Sequence, residues 1–263
     1  IFRRSRGYAP NYFNTKIKSN QKILALGAHL KSSIAFYPNE FLYISQYLGN
    51  LDNFDVYERF SKTAQNFMEI FNQKPEMILV DSHPGYQSTL FGKEFADKLN
   101  IKPIKIQHHK AHFASVLGEH DLFDSDEKIL GVVWDGTGYG EDGNIWGGEF
   151  FVYDKGKMDR VSHFDYFNWL AGDKMSLEPR LSLLSILEES REGFVNDKFS
   201  SEELQVYQKL RKNNKLKASS VGRLFDAVAS VLDICNYNTY EGEAAILLEN
   251  SLTDFDVSTC KKY

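Results

Sequence analysis

Two histidines four residues apart, His108 and His112, stand where a strand-like run meets a helical one, in the segment Gln-His-His-Lys-Ala-His (107–112). On a helix, residues i and i+4 project from one face, so two imidazoles so placed can share one divalent ion. The same spacing also occurs on polar surfaces that bind nothing. A third donor is what would turn the pair into a site, and Asp135, at the carboxyl end of the next strand-like run, is the candidate. Imidazole with carboxylate suits iron, zinc or manganese. His109 is rotated off the shared face and reads as a hydrogen-bonding or supporting group.

Asp135 also opens a second chemical feature, Asp-Gly-Thr-Gly-Tyr-Gly (135–140). Glycines let a backbone approach a phosphate closely, successive N–H groups form an anion-binding nest, and Thr137 adds a hydroxyl. A hairpin turn would favour the same residues. Here Gly136, Gly138 and Gly140 all precede Asp142-Gly143, which by itself supplies a tight-hairpin dipeptide. On spacing alone the segment fits either a phosphate-facing loop or a turn.

Other polar clusters are weaker. Asp81-Ser82-His83-Pro84 closes a buried-type strand, where a sheet presents polar groups to a cleft, although a turn ending in proline reads the same way. Gly172-Asp173-Lys174, followed by Glu178-Pro179-Arg180, puts mixed charge at a helix start, as simple capping would. Tyr240-Glu241-Gly242-Glu243 precedes an Ala-Leu helix (244–249) and offers either a ribose contact or an ordinary cap. Lys31 is a phosphate contact or a solvated lysine. Asp135, Lys31 and Asp173 are the catalytic candidates. Cys235 lies in a helical apolar stripe and reads as core.

The elements that must position these groups follow from periodicity. Three strand-like runs (22–28, 31–39 and 40–49) form a meander. A helix over 52–73 has Asp52 as its N-cap and an apolar stripe through Phe54, Tyr57, Phe60, Ala64, Phe67, Met68 and Phe71. Strand 77–82, helix 86–99, strand 103–108 and helix 109–119 follow. From residue 129 the order begins again, with strands over 129–135, 144–154 and 160–167, then helices over 174–191, 200–211 and 220–233. Two α/β lobes of this kind, facing each other, would leave a ligand cleft between them.

Composition bounds the reading. The 263 residues carry a net charge of −5, with 42% hydrophobic and 25% charged residues, as a globular chain with a buried core does. The acidic balance argues against nucleic-acid binding, and no apolar run reaches the roughly 20 residues of a membrane helix. Two cysteines, Cys235 and Cys260, make no disulfide framework, so a soluble cytoplasmic protein is expected. Residues 1–20 lack periodicity and read as a linker or the tail of another module.

The motifs QHHKAH, VVWDGTGYGEDGNIWGGEFF, GDK…EPR and VGRLFDAVASVLDI…YEGEAAILLE occur in that order. They follow LALGAHLKSSIAF, SQYLGNLDNF and DSHPGYQST. So ordered, the chain resembles the C-terminal, Kae1-like domain of HypF, the carbamoyltransferase family of [NiFe]-hydrogenase maturation, and RRSRGYAP resembles the end of the YrdC-like domain preceding it there. The resemblance implies an α/β actin-like ATPase (ASKHA, Kae1-like) fold of two lobes. The first spans 21–125; the second, 126–263, is incomplete, ending before a GG-x-x-x-N nucleotide loop and a further aspartate ligand; and 1–20 is the tail and linker.

The resemblance implies ATP as substrate, carbamoyl-adenylate as intermediate, and a divalent metal (zinc, iron or magnesium) on His108, His112 and Asp135. Gly136 to Tyr139 would face the phosphates, and Ser219, Gly222, Glu241 and Gly242 would lie along the nucleotide. The carbamoyl group, from carbamoyl phosphate by way of carbamate made upstream, would pass to the C-terminal cysteine of a HypE-type acceptor. The chain departs from the family at Gly85, where an acid is usual, and at Ala171, where a second glycine is usual. An incomplete second lobe implies weak nucleotide binding and no complete turnover by these 263 residues alone. Two other readings remain: a Kae1-type tRNA threonylcarbamoyl-adenosine synthase, whose loop reads SGGHT where this chain has DGTGY, and a fragment that only binds a partner.

Overall fold

The structure, a computed structural model, describes residues 11–14, 18–188 and 193–251. The chain divides into two compact units, Ile1–Ile129 with Tyr153–Met158, and Leu130–Val152 with Asp159–Tyr263.

The first unit holds β1 (Asn11–Asn14), β2 (Ile23–Leu26), β3 (Ile34–Tyr37), β4 (Phe41–Ile44), α1 (Phe54–Phe71), β5 (Met77–Asp81), α2 (Gln87–Lys98), β6 (Ile104–Ile106) and α3 (His108–Glu119). Its six-stranded sheet runs β1-β4-β3-β2-β5-β6. The meander β2-β3-β4 is antiparallel, whereas β5 and β6 add in parallel, as strands reached through crossover helices do. β1 lies within the stretch expected to be linker and pairs antiparallel with β4. The reading of 40–49 as a strand holds only to Ile44.

Alternation in β2 and β3 places Leu24, Leu26, Ile34 and Phe36 in the core, against Phe60, Ala64 and Phe67 of α1 and Phe91, Phe95 and Ala96 of α2. Each large side chain so buried stabilises the fold by about 1.5–3 kcal/mol. Gly92 lets α2 sit directly on the sheet, since a Cβ there would lie 2.3 Å from a Val80 methyl. The N-cap of α1 is Asn53, not Asp52: its side chain accepts from the N–H groups of Asp55 and Val56. Asp52 is engaged elsewhere, with its Oδ1 2.7 Å from His29 Nε2.

The second unit holds β7 (Ile129–Tyr139), β8 (Ile145–Asp154), β9 (Lys157–His163), β10 (Phe167–Asn168), α4 (Lys174–Leu177), α5 (Pro179–Ile186), α6 (Ser201–Asn213), β11 (Lys217–Ala218), α7 (Val221–Val231) and α8 (Glu243–Asn250). β8 is flanked by β7, β11 and β9, and β10 pairs with β11. The helix expected over 174–191 is two. Pro179 has no N–H and forces the preceding Glu178 out of the helical region (φ −123°, ψ 89°), so a new helix starts with Pro179 in its first turn. A second core gathers Phe167, Trp169, Leu170, Met175, Leu181, Leu184, Phe199 and Tyr207.

Ala171 adopts φ 56°, a left-handed conformation that its Cβ penalises by about 1–2 kcal/mol. Ala171→Gly removes that strain at the smaller cost of a freer unfolded chain. The variant is expected to melt about 2–4 °C higher, equivalent to about 1 kcal/mol. A melting temperature equal to or below that of the wild type would show that the strain is not stored there.

Candidate functional site

In the first unit the chemistry gathers at the carboxyl ends of the parallel strands. β5 ends at Asp81; β6 ends at Ile106, the register partner of Asp81, and the chain turns at once into α3. Gln107 caps α3, its Oε1 accepting from Lys110 N, so the helix begins at His108, one residue earlier than periodicity suggests. The Gln107 amide nitrogen then faces His109 Nδ1 at 3.0 Å. His109 is fully buried, a core histidine on the side of the helix away from the pair.

His108 and His112 present their Nε2 atoms to each other at 3.2 Å. Two nitrogens bound at about 2.0–2.1 Å to a tetrahedral zinc would stand about 3.3 Å apart. The pair fits that bite. His108 Nδ1 lies 3.2 Å from Asp81 Oδ2, while Asp81 Oδ1 accepts from His83 N at 2.7 Å. A cavity of about 320 Å³ opens here, floored by Leu26, Leu79, Val80 and Ile106 and edged by Asp81, His108 and His112.

Two nearby side chains that the sequence did not single out, His29 and Tyr86, join His83, which it did. His29 stacks on Tyr86 (centroids 5.2 Å) and Tyr86 on His83 (3.9 Å), so three rings form one column. Burial lowers the pKa of His83, the Asp81 carboxylate opposes that shift, and His29 adds to it. Gly85 is exposed and has no left-handed backbone, so an acid at that position would be sterically acceptable. Lys31 is exposed on the β2–β3 loop, with φ 52° and its N–H donating to Asn50 Oδ1.

In the second unit, the segment expected to be a loop is strand. Asp135 to Tyr139 complete β7, and the turn comes only at residues 140–144. In the hairpin only Gly143 has positive φ (78°). A nest of convergent N–H groups needs alternating helical conformations, so the extended segment does not form one. Its glycines serve close approach instead. A Cβ on Gly222 would lie 3.1 Å from Gly136 Cα, and one on Gly147 would lie 2.6 Å from Asp135 O. Ser220, the N-cap of α7, donates to Gly136 O at 2.6 Å and accepts from Arg223 N. Asp135 Oδ1 accepts from Gly136 N; Thr137 and Tyr139 are exposed and Gly138 is buried.

Glu149, which the sequence reading passed over, ties this corner together. It is fully buried and accepts from Gly147 N, Gly148 N, Ser219 Oγ and Arg160 Nε. Ser219 is therefore a buried hydroxyl committed to Glu149, and the residue against the glycine strand is Ser220. Arg160 in turn lies 3.9 Å over the Trp146 ring and bonds Tyr166, whose hydroxyl donates to Asp142 in the turn.

The remaining candidates lie on another corner. Asn238 donates to Ser176 O and Leu177 O and caps α8 by accepting from Ala244 N, linking α4 to the loop that carries Glu241 and Gly242. Asp173, at the start of α4, and Glu241 are exposed, and Gly242 precedes α8 with φ 80°. The Glu178–Arg180 cluster is structural. The Arg180 guanidinium is buried, bonds Glu178, Glu203 and Lys198 O, and lies over Phe199 and Tyr237. Cys235 lies beyond the end of α7 rather than within a helix; it is buried, and desolvation raises its pKa, as befits a core thiol.

Comparison with known proteins decides the family. Residues 131–263 match the family described as the carbamoyltransferase, Kae1-like domain, second subdomain, and residues 18–119 match the HypF Kae1-like domain. The chain belongs to the HypF carbamoyltransferase family. It is 38% identical over 258 residues to the probable carbamoyltransferase HypF of Methanocaldococcus jannaschii and 32% identical over 274 residues to the carbamoyltransferase HypF of Synechocystis. Each alignment spans 95% of this chain but only 33% and 34% of the relative, so the chain covers about a third of their length.

A crystal structure of full-length HypF in its phosphate- and nucleotide-bound form superposes with a TM-score of 0.86 at 33% identity, over 96% of this chain and 33% of that one. HypF of T. kodakarensis gives 0.83 at 34% identity, over 95% and 34%. The HypF match establishes the Kae1-like, actin-like fold and favours this family over the tRNA-modifying sister class. Among the described residues no helix is long and apolar enough to cross a membrane.

Proposed function

We propose that this chain is the carbamoyl-transferring domain of a HypF-type enzyme. The observation that carries the proposal is the His108–His112 pair, whose Nε2 atoms face each other at a metal's bite distance in a chain of the HypF family. His108 and His112 would hold a divalent ion, and the ion would supply Lewis acidity toward an acyl or phosphoryl oxygen. Imidazole donors suit zinc or iron better than magnesium.

The chemistry runs in two displacements. A carbamate oxygen attacks the α-phosphorus of ATP, releasing pyrophosphate and leaving carbamoyl-adenylate. The sulfur of an acceptor cysteine at the C-terminus of a HypE-type protein then attacks the carbamoyl carbon, AMP departs, and the thiol proton is lost. Asp81 holds the His108 ring, and Ser220 pins the start of α7 to the strand of Asp135 and Gly136. Of the nucleotide candidates, Gly136 and Gly222 meet at one corner, which is the support the fold lends them. A buried free thiol at Cys235 suits the reducing cytoplasm, where we place the protein.

The test uses labelled carbamoyl phosphate, ATP and a peptide ending in cysteine. The chain is supplied alone and fused to the remainder of the Methanocaldococcus jannaschii relative. The fusion is expected to label the peptide only with ATP present, and the chain alone is not. A fusion carrying His108→Ala and His112→Ala should lose the labelling; one that labels as fast as its parent overturns the proposal.

A further inference from the structure

Asp81 ends β5 with a carboxylate that has no surface to serve: the residue is 9% exposed, and its two oxygens have separate tasks. Oδ1 accepts from the backbone N–H of His83 at 2.7 Å, which fixes the rotamer. Oδ2 is thereby turned to His108 Nδ1, 3.2 Å away. The strand ladder sets the height, because Asp81 is paired with Ile106, two residues before His108. An ionised carboxylate only accepts hydrogen bonds, so Nδ1 of His108 must carry the proton. The other nitrogen, Nε2, then carries the lone pair, and it is the atom 3.2 Å from His112 Nε2.

We propose that Asp81 is the positioning residue of the histidine pair, holding His108 in the one tautomer and ring plane that can donate from Nε2 to a metal. The inference rests on the metal reading of the pair given above and adds a residue to it. Carboxylates that accept from the distal nitrogen of a ligating histidine fix its tautomer, and their loss costs about 10–100-fold in metal affinity.

Substitution separates this role from that of a residue that merely closes the β5 turn. Asp81→Asn keeps the size and, through its carbonyl oxygen, the bond to His83 N. Its NH2 group then faces His108 Nδ1 and donates, which moves the imidazole proton to Nε2 and removes the lone pair. Asp81→Ala leaves the His83 N–H without its acceptor but lets His108 choose either tautomer. For metal binding, asparagine is therefore worse than alanine. For stability the order is the reverse.

The experiment titrates the purified chain with cobalt(II) alone, following its ligand-field absorption, and reads the His108 tautomer in the metal-free chain from ¹⁵N shifts. Thermal melts confirm that each variant is folded. The wild type is expected to bind cobalt with His108 protonated at Nδ1. Asp81→Asn should bind about 100-fold more weakly with the proton on Nε2, and Asp81→Ala about 10-fold more weakly. An Asn variant with wild-type affinity or an unchanged tautomer overturns the proposal while leaving the metal reading intact. A wild type that binds no cobalt, or a His112→Ala variant that binds it equally well, overturns the metal reading and the positioning role with it.

Discussion

Glu149→Ala is expected to destabilise the chain by about 3–5 kcal/mol, the usual cost of leaving one member of a buried ion pair alone. Four donors converge on this fully buried carboxylate, and Arg160 reaches it at 2.5 Å. Removing it strands the guanidinium over Trp146, the Ser219 hydroxyl and two backbone N–H groups. Acid should mimic the substitution. Burial pushes the Glu149 carboxyl up, but the bonds from Arg160, Ser219 and Gly147 outweigh it and hold the pKa below the ordinary 4.5. The ionised group's contribution is therefore complete above about pH 4.5, its unfolded value, and is lost as pH falls through the lower folded value.

Asp142 is held at about 2, against the penalty of its own burial, by Tyr166, Asn144 and Trp146, so its contribution is lost only as pH falls towards 2. Urea denaturation of wild type and Glu149→Ala from pH 7 to 3 checks the Glu149 prediction. The gap between the two curves should be constant near neutrality and narrow below about pH 4.5. A gap under about 1 kcal/mol at pH 7 would mean that the network carries no net stability.

The second large effect is on metal-dependent stability. A ligand bound by the folded state at 100 times its dissociation constant stabilises it by about 2.7 kcal/mol. Zinc or cobalt at that excess is expected to raise the melting temperature of the wild type. His108→Ala should abolish the rise, because one Nε2 of the 3.2 Å pair is gone. Calorimetry with and without the ion reads this directly, and an equal rise in both proteins would place the ion elsewhere. The metal-free His108→Ala protein should itself melt lower, because Asp81 Oδ2 loses its partner, so the readout is the rise with the ion and not the absolute melting temperature.

Local features were legible from the chain. The i, i+4 pair is set by helix geometry alone, so His108 and His112 could be matched without knowing the fold, and His109 could be turned away from them. From β2 onward the order of strands and helices in the first unit followed from apolar periodicity, because Leu24, Leu26, Phe60, Ala64 and Phe67 alternate or recur at the periods their elements require. Family resemblance, carried by ordered motifs, named the carbamoyltransferase class that the comparisons then supported.

Backbone state and polar partnership were not legible. Asp135 to Tyr139 read as a loop because glycine marks turns, yet the glycines sit in an extended strand where Gly136 meets Gly222, a neighbour 86 residues away. Asp52 read as a cap because its type is right; His29 claims it, and the cap moves to Asn53. Glu149 looked like one charge among many until Ser219, 70 residues on, and Arg160 closed around it. Asp81 likewise gains its meaning from His108, 27 residues later. Residue types and short spacings, which act through covalent geometry, were determined by the sequence itself. Which carboxylate serves which donor was decided by tertiary structure, because a hydrogen bond depends on distances of a few ångströms that only the folded backbone sets.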